Sequence, residues 1–177
     1  MAVMDILIEG DPRLRQKATK IRQADPELQR IAGNMWETME HAEGVGLAGP
    51  QVGVMRRIIT VHVPAGTEHE DDPEHRYILL NPEIVRGYGA VAAMEGCLSI
   101  PGFAGKVVRR ETVTVKAMNL ENAPVRIKAH GYLARVLQHE IDHLDGILYP
   151  DRMAPDAKLY RVDDEELDEE TAALAHS

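Results

Sequence analysis

Three short stretches of this 177-residue chain carry residue types and spacings that can do chemistry. The sharpest is His139-Glu140-Ile141-Asp142-His143, the pattern H-E-x-x-H. On a helix, positions i and i+4 lie one turn apart on one face, with Cβ atoms about 5–6 Å apart. Two imidazoles so placed can share one metal ion. Glu140 sits about 100° round the axis from His139, too offset for an obvious third ligand. It is close enough to reach a water on that ion as general base. The bland alternative is a surface helix with two histidines and some acids.

A two-histidine site needs a third donor. In zincins of the thermolysin type it is a downstream Glu, and in metzincins a third His spaced as H-E-x-x-H-x-x-G-x-x-H. Gly146 stands at the Gly position here, but Tyr149 stands where that His would be. Cys97 is the better candidate. A lone cysteine is more often a small buried hydrophobe, yet beside H-E-x-x-H a thiolate ligand gains weight. Glu95-Gly96-Cys97-Leu98-Ser99 reads as a tight turn rather than a core strand. The third stretch is Gly44-Val45-Gly46-Leu47-Ala48-Gly49-Pro50-Gln51. Its first six residues satisfy G-x-G-x-x-G, but they follow a helical pattern instead of a strand, which defeats a dinucleotide reading. What remains is a Gly-rich loop after a helix. There the backbone of Gly46 can approach a ligand closely, and Gln51 can donate to an oxyanion.

These residues need elements to position them. Residues 132–146 read as a helix, because Leu133, Leu137, Ile141 and Leu144 recur at steps of 4, 4 and 3. That stripe fits a core. Tyr132, Arg135 and Val136 lie on the side of His139 and His143, so the histidine face is left to a cleft. A second helix is capped by Asp25 with Pro26 at its first position. Leu28, Ile31, Met35 and Met39 repeat along it, Ala32 and Trp36 widen the face, and Gly44 stops it. Gly10-Asp11-Pro12 marks a turn, with a short helix from Arg13 to Ala18. Residues 56–63 are strand-like, 64–76 an exposed polar loop, and 77–85 a second strand region broken by Asn81-Pro82. Residues 111–120 begin with alternation, Val113 and Val115 on one face and Thr112, Thr114 and Lys116 on the other. They form a hairpin with 124–131 through Glu121-Asn122. Strands that precede a helix without regular βα alternation predict an α+β fold, mostly antiparallel strands around the H-E-x-x-H helix.

Composition narrows the function. Twenty Lys and Arg against 29 Asp and Glu give a net charge of −9, which argues against a nucleic-acid ligand. Seven of those acids fall in residues 163–170, so the body is nearly balanced and the end is acidic. The expected organisation is one catalytic domain over 1–160 and an acidic C-terminal tail or helix over 161–177. One cysteine allows no intrachain disulfide. The start lacks the basic and apolar segments of a signal peptide, and no run approaches the roughly 18 apolar residues of a membrane span. A soluble, reducing, cytoplasmic setting is expected.

GVGLAGPQ at 44–51, EGCLS at 95–99 and QHEIDHLDG at 138–146 resemble, in order and approximate spacing, the three signature motifs of the peptide deformylase family. The resemblance extends to about residue 155. It implies that Cys97, His139 and His143 hold one divalent metal, natively Fe(II), with zinc, nickel or cobalt as substitutes. Water in the fourth position would attack the formyl carbon with Glu140 as general base and acid. Gln51 and the Leu98 N–H would form the oxyanion hole, and Gly46 would pair its backbone with the peptide. The reaction implied is removal of the N-terminal formyl group from formyl-methionyl nascent polypeptides, releasing formate. The methionine side chain needs an apolar slot, for which Tyr132, Val136 and Val45 are candidate walls. Arg135 shares that face, its stem lining the slot while its guanidinium reaches solvent or an acid. Glu95 and Arg109 are expected to pair across the cleft and hold the cysteine turn.

Some positions depart from the family pattern. Gly49 stands where many members have Ala, and Ala104 where many place a substrate-facing Arg. The family often uses a basic C-terminal helix near the ribosome. An acidic tail repels ribosomal RNA, so ribosome docking is not carried over; a monomer or weak oligomer is expected. Competing readings are a zincin-type metallopeptidase, a non-catalytic metal-binding module and a hydrolase using Cys97 as nucleophile. The EGCLS turn disfavours the first, retention of Glu140 and Gln51 the second, and indifference to metal removal would mark the third.

Overall fold

The computed structural model describes residues 2–162. Two helices, α1 (Pro26–His41) and α2 (Gly131–Leu144), pack against eight strands. The strands are β1 (Gly46–Ala48), β2 (Ile58–Val63), β3 (His75–Tyr88), β4 (Val91–Cys97), β5 (Ile100–Arg109), β6 (Thr112–Met118), β7 (Pro124–His130) and β8 (Leu159–Arg161). They make a five-stranded sheet ordered β1-β2-β3-β6-β7 and a three-stranded sheet ordered β4-β5-β8, with every strand pair antiparallel. The α+β class expected from the sequence is the one found. Of the acidic tail or helix expected over 161–177, Arg161 is the last residue of β8 and residues 163–177 lie outside the described residues.

The larger sheet is covered on both faces, so β2 is buried along its length except at His62, which is half-buried. Ile59, Val61 and Val63 join Val113, Val115 and Ile127 against the α2 stripe of Leu133, Leu137, Ile141 and Leu144. Ile58 and Leu80 face the other way, onto Leu28, Met35 and Met39 of α1. The stripes read from helical spacing are therefore core stripes, and each buried side chain of that size contributes about 1.5–3 kcal/mol. Asp25 caps α1 as expected, accepting from the Leu28 N–H at 2.8 Å.

The structure corrects several boundaries. Asn81-Pro82 does not end a strand: β3 continues to Tyr88 through a shift in register, with Asn81 at φ 51°. Its side-chain amide bonds the backbone of Ile21 in both directions, which holds the bulge. The short helix after the first turn is a 3₁₀ turn over Pro12–Arg15, earlier than expected. The glycine-rich stretch is not simply a loop, since Gly46–Ala48 is an outer strand of the larger sheet and Gly49–Val52 a 3₁₀ turn. The smaller sheet had no counterpart in the sequence reading. Cys97 is the last residue of β4, and the turn proper is Leu98-Ser99 before β5.

Helix α2 is buried on every side, each residue from Tyr132 to Leu144 lying inside the protein. It starts without a side-chain cap from His130 or an acid in its first turn. Glu68, from the loop between β2 and β3, supplies both by accepting from the Tyr132 N–H at 2.8 Å.

Candidate metal centre

Cys97 arrives at the end of a hairpin in the smaller sheet, and the two histidines arrive on α2. Their donor atoms all lie within 4.8 Å of one another, and all three residues are buried. His143 Nε2 stands 3.2 Å from His139 Nε2 and 3.3 Å from Cys97 Sγ. Nitrogen donors at about 2.0–2.1 Å and a sulfur at about 2.3 Å from a tetrahedral centre are separated by about 3.3–3.6 Å. Both separations from His143 match those around one ion, and the third lies within 4.8 Å, so the three side chains suit a shared ion. Their soft and borderline donors suit Fe(II), Zn(II), Co(II) or Ni(II).

Electrostatics point the same way. Burial alone would lower the His139 pKa, yet Cys97 and Glu95 raise it well above its usual range. Those two groups thus draw positive charge to the spot. His143 is held well below its usual range by burial and by neighbouring His139, which leaves it a neutral donor. His139 is oriented by its other nitrogen, Nδ1, 2.9 Å from Glu95 Oε1, which turns Nε2 to the donor cluster.

Glu95 is the hub of a buried ionic network. Burial would raise its pKa, but hydrogen bonds from Arg109 and His139 hold it well below the carboxylate range. Arg109 Nε and Nη2 donate to its two oxygens at 2.9 and 2.8 Å, and Arg109 Nη1 donates to Asp142 at 2.6 Å. The expected Glu95–Arg109 pair is present, but it joins the two strands of the hairpin inside the protein instead of crossing a cleft; the bond from Arg109 to Asp142 ties the hairpin to α2. Arg135 does not reach solvent; it is 4% exposed and its Nη1 donates to Glu95 Oε2 at 2.6 Å.

Glu140 is adjacent to this cluster and buried. Burial raises its pKa to about 7, and its Oε2 has no hydrogen-bond partner among the described residues. The close backbone approach at Gly46 is to this carboxylate: a Cβ there would lie 2.7 Å from Glu140 Cδ. Gln51 is oriented by the Ala48 N–H, which donates to its Oε1 at 2.8 Å. Its Nε2 then faces the centre, 3.6 Å from Cys97 Sγ and 3.2 Å from Ser99 Oγ. Leu98 follows Cys97 in the turn, and a Cβ at Gly44 would lie 2.8 Å from its Cδ1.

Tyr132 and Val136 line a small pocket of about 10 Å³ with Met94, Glu95, Arg135, His139 and Glu140. Val45 is not in that lining: its side chain packs at the edge of the main core and its carbonyl accepts from the His62 N–H. Sequence reasoning missed Asp142, Met94 and Tyr149. Asp142 is one of the two unspecified positions of the H-E-x-x-H pattern. It also accepts from Arg152 Nε at 3.1 Å and Nη2 at 2.8 Å. Tyr149 is buried and stacks on His139 with ring centroids 6.3 Å apart.

The Polypeptide deformylase family matches residues 3–159. The peptide deformylase of Thermomicrobium roseum is 54% identical over 175 residues, covering 99% of this chain and 98% of that protein. That of Desulforudis audaxviator is 47% identical, covering 86% and 94%. Two solved structures are also similar. The Ehrlichia chaffeensis peptide deformylase in complex with actinonin superposes with a TM-score of 0.82 at 36% identity, covering 88% of this chain and 91% of that one. The Met-Ala-Ser-bound class I type b enzyme of Acinetobacter baumannii gives 0.80 at 35% identity, covering 85% and 98%. Motif order, fold and whole-length identity agree, and the chain belongs to the peptide deformylase family.

Proposed function

We propose that this chain removes the formyl group from formyl-methionyl nascent polypeptides in the cytoplasm, at one divalent ion held by Cys97, His139 and His143. Peptide deformylases are metalloenzymes that act on formylated peptides; the residue roles and the ion are this reading's own. The observation that carries it is the convergence of the three donors beside a carboxylate with one unpartnered oxygen. A divalent ion there polarises a carbonyl and brings a water's pKa toward neutrality.

The protein's residues do the rest. Glu140, raised by burial to about 7, is matched to taking a proton from the attacking water and returning it to the leaving amine. The amide of Gln51 is held nitrogen-first toward the centre by the Ala48 N–H. With the Leu98 N–H it is placed to stabilise the oxyanion that develops on the formyl oxygen, a contribution of about 10²–10³ in rate per donor. Strand β1 is one of the sheet's two outer strands, paired only with β2, and it is the one beside the metal site, so the peptide backbone is received at Gly46 as an added strand. The methionine side chain enters between Tyr132, Val136 and Met94. A Met-Ala-Ser peptide, bound by the Acinetobacter baumannii relative, is what hydrolysis of formyl-Met-Ala-Ser leaves.

Fe(II) is the ion proposed for the cell. Anaerobic purification, metal analysis and formate release should be measured on one sample, with formyl-Met-Ala-Ser against acetyl-Met-Ala-Ser. Bound metal with turnover of the formyl peptide alone is the expected result. Turnover of the acetyl peptide, or formate release that survives complete metal removal, would defeat the reading.

A further inference from the structure

We propose that Arg135 is a positioning residue that sets the spacing between Cys97 and the two histidines. The inference rests on reading those three as metal ligands, and goes beyond it by assigning what holds them in register.

The three donors come from two separate bodies, the β4–β5 hairpin and α2. Their separations of 3.2 and 3.3 Å must hold to a few tenths of an ångström for one ion to fit. Arg135 lies one helical turn before His139 and spans both strands of the hairpin. Its Nη1 donates to Glu95 Oε2 on β4 at 2.6 Å and to the Val107 carbonyl on β5 at 3.2 Å. Its Nη2 donates to the Val91 carbonyl at 2.9 Å. Glu95 is two residues before Cys97, and its other oxygen meets His139 Nδ1 at 2.9 Å. Arg135, Glu95 and His139 thus close a brace in which helix and hairpin are joined twice within one turn. Arg109 shares Glu95 but leaves from the far end of β5 and reaches Asp142, on the other side of His139.

A buried cation is costly, and paired buried charges are weak evidence for stability by themselves. The guanidinium has a geometric use that an apolar residue lacks, because a planar fork can tie a carboxylate and two strand carbonyls at once. Its charged end is committed to those partners, so its methylene stem is what the pocket beside Tyr132 and Val136 receives. The brace therefore acts on the metal ligands and leaves the methionine slot apolar.

Arg135→Met keeps the stem and removes the three contacts; Arg135→Lys keeps the charge without the fork. Both would be compared with wild type as the full chain loaded with Co(II). Affinity would be read by chelator competition, the sulfur–cobalt bond by its thiolate charge-transfer absorption, and catalysis by formate release. R135M should lose about 10–100-fold in cobalt affinity, as outer-shell changes at metal sites do. Its thiolate band should shift or weaken, and kcat should fall while KM for formyl-Met-Ala-Ser stays within about threefold, since the slot's lining is preserved. R135K should lie between. A cobalt affinity and thiolate band equal to wild type in R135M, whatever its melting temperature, would overturn the proposal. Should R135M fail to fold, the same equality in R135K would do so. A wild-type protein that binds cobalt without any thiolate band would instead remove Cys97 as a ligand.

Discussion

Gly46→Ala separates the space needed by Glu140, the proposed general base, from the space proposed for substrate. The backbone at Gly46 is not left-handed, so alanine meets no conformational strain there. It meets Glu140: the new methyl would lie 2.7 Å from Cδ and 2.8 Å from Cγ. Carbon atoms settle at about 3.5–4.0 Å, so the carboxylate must retreat by roughly 0.8 Å or more. Helix α2 is packed on all sides, so the shift falls on the Glu140 side chain rather than on the helix. A misplacement of about 1 Å at a reacting group costs on the order of 10²-fold. We expect kcat on formyl-Met-Ala-Ser to drop by about that factor, with metal content per chain unchanged, because the three atoms nearest the new methyl all belong to Glu140 and none to Cys97, His139 or His143. The control is Gly44→Ala, whose one tight contact is with the movable tip of Leu98 at 2.8 Å, the Gly46 carbonyl lying at an ordinary 3.6 Å, and which should change kcat by less than about tenfold. A G46A enzyme with kcat within about threefold of wild type would refute the placement of Glu140. A rise in KM alone would show that Gly46 serves only the incoming peptide.

Glu140→Gln should keep the metal and lose formate release, by about 10²–10⁴-fold; retained activity would transfer the base role elsewhere. Gln51→Ala should lower kcat by about 10²–10³-fold with little effect on metal content, checked by steady-state kinetics beside elemental analysis. Glu95→Gln leaves Arg109 and Arg135 buried against a neutral partner and should cost about 3–5 kcal/mol, read by urea unfolding. Its pH signature has a definite sign. The folded carboxyl is held below its ordinary value of 4.5, so wild-type Glu95 contributes stability that is present above that pH and lost as pH falls. The E95Q variant should show a flatter decline between about pH 5 and 3 than wild type, and parallel curves would discount the network.

The candidate cluster is legible because it is written in residue types that rarely serve another purpose together. Two histidines at i and i+4 with a glutamate between them require a helix to mean anything, and the Leu133–Leu144 stripe supplied it. Residue identity also exposed the Glu95–Arg109 pair. The stretch Glu95–Ser99 reads as a tight turn, but the structure confines the turn to Leu98-Ser99 and makes Cys97 the end of a strand. The smaller sheet was hidden for a related reason. Strand β5 contains Pro101, Gly102 and Gly105, which break the alternation that marks a strand, and its pairing is set by β4 and β8 rather than by its own pattern. In β3, Asn81-Pro82 imitated a stop because the contact that rescues it, with Ile21, is 60 residues away.

The least legible part, the polar interior of α2, is also the part that explains the site. A helix carrying Arg135, Gln138, His139, Glu140, Asp142 and His143 looks half solvent-facing, and all six side chains are buried. Local pattern rules fail there because the charges are answered from the smaller sheet: Glu95 takes Arg135 and His139, and Arg109 takes Asp142. Apolar residues could cover the same helix at less desolvation cost, but they have no directional preference and would let helix and hairpin slide. A metal centre shared between the two elements does not tolerate sliding. The ionic interior is therefore a consequence of splitting the donors, one sulfur on a hairpin and two imidazoles on a helix, and the side chains that fix the register are found where propensity and amphipathicity would forbid them.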